Sequence, residues 1–283
     1  MTELKGLYLD MMKQVLSRAG FLDEEVQDVR LDRLARYHPL RYIGPLLRRN
    51  GARLVIKTST EAREDGRDWP PTAETMIGLK RLDNLQYCVE TVCAEGIPGD
   101  LIETGVWRGG ATIFMRAILA AWGVTDRTIW VADSFKGLPP PRPELYPADA
   151  GLRLDLEPKL AVGLEQVKAN FTRYGLLDDQ VQFLVGWFRD TLPEAPISQL
   201  AVMRLDGDLY ESTMDALAAL YPKLSPGGFV IIDDYGVIPA CRKAVTDFRE
   251  KFGIDDSIHE IDSSGVFWRR PLVENRLTLS DQT

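Results

Sequence analysis

The sequence has few residues that build disulfide, zinc or iron–sulfur frameworks. It holds three cysteines, Cys88, Cys93 and Cys241, and two histidines, His38 and His259. An odd, sparse cysteine set with no C-x-x-C pair excludes a disulfide scaffold and fits a reducing, cytoplasmic setting. The two histidines are remote in sequence and form no zinc ligand set. His38, beside Pro39, reads as a surface or packing residue. No run approaches the roughly 20 apolar residues of a membrane span. Glu3 and Asp10 interrupt the N-terminal apolar pattern, which a secretory signal would not allow. Positive charge is in deficit, with 34 basic against 42 acidic side chains and a formal net charge of −8. Such a surface repels phosphate backbones and anionic lipid, so neither nucleic acid nor a membrane is expected as a partner. There is no internal repeat and no low-complexity tract.

What is present is an ordinary globular chain of 283 residues, 45% hydrophobic and 27% charged. That length allows one large core plus an extension. Leu4, Leu7, Met11, Met12, Val15, Leu16 and Ala19 recur at helical spacing, and Gly20 suits the stop. Residues 21–56 read as helical and locally basic. Residues 57–72 are polar, highly charged and closed by Pro70 and Pro71, as in a long exposed loop, a lid or a linker. The expected organisation is an N-terminal helical extension over 1–72, serving as lid or oligomerisation element, a core over 73–272, and a weakly held tail over 273–283.

From Ala73 the pattern changes. Leu79, Leu82, Leu85, Val89 and Val92 predict a helix ending near Gly96. Short apolar runs then alternate with amphipathic stretches. Strands are predicted at 101–104, 128–133, 181–186, 200–206 and 229–234, and helices at 110–122, 158–174, 212–223 and 239–252. This alternation predicts an α/β fold, doubly wound, with a mostly parallel sheet and helices on both faces. Residues 257–262 and 266–270 flank Ser263-Ser264-Gly265 and predict a closing hairpin, so the last strand is antiparallel.

The first core strand runs into Glu103-Thr104-Gly105-Val106-Trp107-Arg108-Gly109-Gly110, and a helix follows. Glycines at such a turn let a ligand approach the backbone at a helix N-terminus. The dinucleotide pattern G-x-G-x-x-G is missing, which speaks against a nicotinamide-dependent oxidoreductase. The next strand ends at Asp133, 30 residues after Glu103, where an acid can accept hydrogen bonds from both ribose hydroxyls. Asp133 with Ser134 also suits a plain turn. Taken in order on consecutive strands, these features point to an adenosine ligand.

Further on, one strand ends in Asp206-Gly207-Asp208 and the next in Asp233-Asp234. Neighbouring strands lie about 4.8 Å apart, and their carboxyl ends form the ligand crevice of such sheets. Like charges about 4 Å apart repel by about 4 kcal/mol at an effective dielectric near 20, so four converging carboxylates call for protons or a cation. Oxygen-only ligands select Mg²⁺, Mn²⁺ or Ca²⁺. Each acid taken singly also suits turn chemistry.

At these residues the sequence resembles the macrocin O-methyltransferases, the TylF/MycF/NovP family. The resemblance is carried by TMIGLKRLDNLQ (75–86), LIETGVWRGGATIFMRA (101–117), VADSFKGLPPP (131–141), RYGLLDDQVQFLVGWFRDTLP (173–193), LDGDLYESTMDAL (205–217) and GGFVIIDDYG (227–236). It covers residues 73–250 closely and the N-terminal helices more loosely. It implies a Rossmann-like class I methyltransferase with a seven-stranded sheet, which uses S-adenosylmethionine and Mg²⁺ to methylate sugar hydroxyls on antibiotics. It implies that Asp206, Asp233 and Asp234 hold the metal. Glu103, Thr104, Gly105, Val106 and Trp107 would line the methionine and ribose side of the cofactor. Asp133, with Ser134, would take the ribose. Gly186, Trp187 and Phe188 would border the adenine, and Thr75 and Met76 would touch the cofactor from the lid side. The N-terminal segments would close over the acceptor and form a homo-oligomer.

Asp208 is the candidate general base and Tyr210 a candidate acceptor-lining residue, although a helix-terminal acid and a packing ring are the plainer roles. A catechol-type O-methyltransferase acting on an aromatic diol shares the fold, the cofactor and the acidic metal site, and is the alternative. The acceptor and the pathway are not written in the motifs.

Overall fold

A computed structural model describes residues 2–22, 25–28, 42–52 and 54–272. His38, part of the stretch read as helical and basic, and the tail at 273–283 lie outside them. Helix α1 (Thr2–Leu16) stops four residues before Gly20: Ser17 Oγ donates back to the Lys13 carbonyl at 2.6 Å, and Arg18 takes a left-handed φ of 59°. Strand β1 (Val26–Asp28) pairs antiparallel with β2 (Val55–Lys57), and the short helix α2 (Ile43–Arg49) lies between them in sequence. Where an exposed loop is expected, the chain forms α3 (Thr60–Glu64), capped by Ser59, whose hydroxyl accepts from the Ala62 N–H at 3.1 Å. Arg63 of α3 is 1% exposed, and its guanidinium donates to the carbonyls of Met76 at 2.5 Å and Ile77 at 3.2 Å. The segment is therefore anchored from within, not merely draped over the surface.

The core alternates as its hydrophobic spacing requires: α4 (Leu79–Ala94), β3 (Asp100–Thr104), α5 (Gly110–Trp122), β4 (Ile129–Asp133), α6 (Leu164–Arg173), β5 (Val181–Val185), α7 (Phe188–Thr191), β6 (Leu200–Leu205), α8 (Tyr210–Leu220), β7 (Leu224–Ile232), α9 (Pro239–Phe252), β8 (His259–Glu260) and β9 (Val266–Arg269). Helix α6 is shorter than the spacing predicts. Its N-cap is Gly163, and residues 158–160, led by Pro158, form a separate 3-10 turn.

The seven strands lie in the order β5-β4-β3-β6-β7-β9-β8. Pairs among β3 to β7 are parallel, and β9 runs antiparallel to both β7 and β8. One face buries Leu82, Phe114 and Ile118 together with Leu9 of α1. The other buries Met203, Leu217, Val245 and Trp268. The chain winds outward from β3 to β5 and then crosses back to β6, which makes β3/β6 the topological switch point. Ligands of open α/β sheets bind outside the carboxyl ends at that point. Among the described residues no helix is long and apolar enough to cross a membrane.

Candidate active site

A cavity of ≈ 460 Å³ opens at the carboxyl ends of β3, β4, β6 and β7. Its backbone geometry is unusual at three strand tips. Trp107, Phe135 and Asp208 hold left-handed φ angles of 48°, 55° and 55°, which non-glycine residues adopt at a cost. Gly105 has φ 81°, and a Cβ there would collide with the carbonyl oxygen of Asp206. The glycine turn after β3 is thus in backbone contact with the acidic tip of β6.

The expected cofactor wall comes together. Gly105, Val106 and Trp107 line one side, Asp133 and Ser134 the next, and Gly186, Trp187 and Phe188 the third. Thr75 and Met76 line it from the segment before α4. Asp133 accepts from the backbone N–H of Val106 at 2.8 Å and of Phe135 at 2.7 Å, tying the β3 and β4 tips together. Burial raises its pKa, and these N–H donors oppose the rise. The Ser134 hydroxyl is used within its own turn, donating to Gly137 at 2.7 Å. Trp107 Nε1 donates to the Lys159 carbonyl at 2.8 Å and so holds the 158–160 turn beside the cavity.

Glu103 also lines the cavity, but both of its oxygens point to protein partners. One accepts from Arg204 Nη1 at 2.5 Å and the other from the Thr112 hydroxyl. Burial lifts its pKa to about 7 against the pull of Arg204. Thr104 is off the cavity, fully buried, with an unpartnered hydroxyl.

The acids group differently from the expected metal set. Asp206, Asp208 and Asp234 bring one oxygen each within 4.8 Å of one another. Asp233 is drawn away: Arg81 Nη1 donates to its Oδ2 at 2.5 Å, and Arg204 Nη2 donates to its Oδ1. Burial would raise the Asp233 pKa, but Arg204 and Arg81 outweigh it and hold the carboxyl below its usual range. The other three shift upward. Burial, reinforced by the neighbouring carboxylates, takes Asp206 to about 6 and Asp208 to about 8, and lifts Asp234 well above its ordinary value. Asp234 Oδ2 is buried without a hydrogen-bond partner. Oxygen-only donors, mutual repulsion and an orphaned carboxylate oxygen together fit a hard divalent cation.

Tyr210 does not line the cavity. Its hydroxyl donates to Asp247 at 2.9 Å, which turns the ring away from the rim. The cations Arg81 and Arg204 were not anticipated. The signal was available for Arg204, which interrupts the apolar run LAVMRL and, buried in a central strand, must find carboxylates.

A glycine turn after the first core strand, an acid at the second strand tip and a rim of carboxylates on a seven-stranded sheet with an antiparallel penultimate strand are the features of an S-adenosylmethionine-dependent O-methyltransferase. Comparison with known proteins narrows this. Residues 5–270 match the family model Macrocin-O-methyltransferase (TylF), and the chain belongs to that family. It is 55% identical, over 98% of its length and 97% of the relative's, to 8-demethyl-8-(2,3-dimethoxy-alpha-L-rhamnosyl)-tetracenomycin-C 4'-O-methyltransferase of Streptomyces olivaceus. It is 59% identical, over 74% of its length and 84% of the relative's, to mycinamicin III 3''-O-methyltransferase of Micromonospora griseorubida. The solved structure of the O-methyltransferase NovP is similar with a TM-score of 0.81 and 49% identity, covering 94% of this chain and 99% of that one.

Proposed function

We propose that the chain methylates a sugar hydroxyl of a glycosylated natural product in antibiotic biosynthesis, with Mg²⁺ bound at the acidic rim. The observation that carries this reading is the contact between Gly105 and Asp206, which sets the cofactor turn directly against the group of Asp206, Asp208 and Asp234. The names of the two relatives, which specify 4'-O and 3''-O positions on glycosylated compounds, support a sugar acceptor.

S-adenosylmethionine supplies the methyl group, and Mg²⁺ when bound lowers the pKa of the hydroxyl that receives it. The chain's own residues do the rest. Gly105, Val106, Trp107 and Asp133 seat the nucleoside, and Trp187 and Phe188 flank its base. Asp206, Asp208 and Asp234 would hold the cation, and Asp208 would also take the proton leaving the acceptor. Both oxygens of Asp233 accept from arginines, so it would join the cation only through the lone pairs those bonds leave free. Asp65, Gly66, Arg67 and Trp69 wall the cavity on the side of the segment after α3.

The test is methyl transfer from labelled S-adenosylmethionine to a panel of glycosylated macrolides, aminocoumarins and rhamnosylated polyketides, with a catechol as the contrasting acceptor, each with Mg²⁺ and with EDTA. Transfer to a glycoside that EDTA stops supports the proposal. Preference for the catechol, or full turnover in EDTA, overturns it. Association of copies is part of the same proposal and is supported by Leu4, Leu7 and Met11, which expose an apolar stripe on α1. A monomeric mass by sedimentation would remove that part.

A further inference from the structure

Arg81, in the first turn of α4, is 6% exposed and bonds to three separate parts of the chain. Its Nη1 donates to Asp233 Oδ2 at 2.5 Å, its Nε to Asp262 Oδ2 at 3.0 Å, and its Nη2 to the Gly66 carbonyl at 3.4 Å. The three partners belong to the tip of β7, the β8–β9 turn and the segment after α3. All three segments wall the cavity, through Asp233, through Ser263 and Ser264, and through Asp65, Gly66 and Arg67.

Glycines make the room. Gly66 has φ 62°, and a Cβ on it would strike Arg81 Nη2. A Cβ on Gly265 would lie 2.9 Å from Arg81 Cδ. The same hairpin turn is pinned a second time, where the Ser264 hydroxyl donates to the Asp233 carbonyl at 2.7 Å. Beyond Asp233 the connection continues through Arg204, which donates to Asp206 Oδ2 at 3.1 Å. A planar guanidinium with five donors can serve three acceptors at once, whereas an ammonium on a flexible stem cannot hold the same fork.

We propose that Arg81 is a positioning residue: it couples the seating of residues 65–67 over the cavity to the orientation of Asp233 and, through Arg204, of Asp206. Its bearing on methyl transfer rests on the function proposed above, but the coupling between the segments does not.

Hydrogen exchange read by mass spectrometry on the full chain tests it. Asp233→Ala and Arg81→Met each speed exchange in the peptide spanning residues 60–68 by roughly tenfold, and the double variant is no faster than Arg81→Met alone. The peptide spanning 239–252 reports general loosening, and the acceleration at 60–68 is read relative to it. If Arg81→Met does not fold, Arg81→Lys takes its place; it keeps the charge, loses the three-way fork and exchanges as the Met variant is expected to. Wild-type exchange at 60–68 in Asp233→Ala, or rate effects that multiply in the double variant, overturns the coupling. A Mn²⁺ titration separates this from the metal reading. Mn²⁺ slows exchange at 60–68 in the wild type and not in Arg81→Met. No response in the wild type overturns the metal site alone, and the variant comparison still decides the role of Arg81.

Discussion

The carboxylate of Asp149 accepts the backbone N–H of Tyr210 at 2.6 Å, across 61 residues of chain. Its second oxygen accepts the N–H of Glu211 at 3.1 Å. Helix α8 has Leu209 at its N-cap position, with no side chain to satisfy its first donors, so a fully buried acid from the loop between β4 and β5 caps it instead. That helix start follows Asp206-Gly207-Asp208 directly, and Glu211 of the same turn bonds Arg142 and Arg189. Asp149→Ala is expected to cost about 1–2 kcal/mol of stability, as loss of a cap does, and to lower turnover by freeing the Asp208 loop. Thermal unfolding and steady-state kinetics on one preparation check both effects, and unchanged turnover would separate the cap from the site.

Asp233 and Asp234 are adjacent in sequence, but their environments predict different phenotypes. Removing Asp233 leaves Arg81 and Arg204 short of a buried partner, and Asp233→Ala is expected to lose about 3–5 kcal/mol of stability. Asp234 has a free buried oxygen in the acidic group, so Asp234→Ala is expected to lose roughly 100-fold or more in Mg²⁺-dependent turnover while keeping its affinity for S-adenosylhomocysteine. Calorimetry for the first and ligand titration with turnover for the second decide the matter; equal loss of stability in both variants would contradict the assignment.

Asp208 without a cation keeps its proton to about pH 8, because burial and the charges of Asp206 and Asp233 oppose ionisation. As the proposed base it must be ionised, and a bound divalent cation favours that. The wild-type rate should therefore rise with pH along an acidic limb. Asp208→Asn should lose that limb and about 10²–10⁴ in kcat. Retained Mn²⁺ binding in the variant separates the proton role from the metal role, and a wild-type pH–rate profile would remove Asp208 from the chemistry.

Asp215, on α8 at the cavity wall, is pushed up to about 6 by burial, with the charge of Glu211 adding to it. The folded chain therefore holds this proton more tightly than the unfolded chain does. Stability falls as pH rises from about 4 to about 6 and is level above, since by then both states are ionised. Asp215→Asn lacks this loss. Its advantage over wild type should be absent near pH 4 and reach about 1 kcal/mol above pH 6, after allowance for solvent screening of a partly exposed side chain. Melting temperatures across that range provide the check, and a difference that does not vary with pH would contradict it.

The sheet and its ligand end were legible because they depend on local pattern. The bounds 110–122 and 239–252 match α5 and α9, since Gly109, Gly123, Pro239 and Gly253 punctuate them. β7 begins earlier than its apolar run, as Pro226, Gly227 and Gly228 conceal its start. Side-chain choices among partners were not legible. Nothing local says that Asp233 accepts from two arginines while Asp234 Oδ2 is buried without a hydrogen-bond partner, or that Tyr210 reaches Asp247 across to α9. The polar texture of 57–72 hid Arg63, whose burial depends on carbonyls 13 and 14 residues away.

That grip of Arg63 on Met76 and Ile77 constrains how the enzyme can be rebuilt. A chimera that takes its first 72 residues from a homologue imports a plug whose socket lies in the recipient's own 75–77 stretch. Because that socket is main chain, what must be preserved is the backbone path at 75–77 and not its side chains, and a splice point after Ile77 keeps plug and socket on one piece of chain.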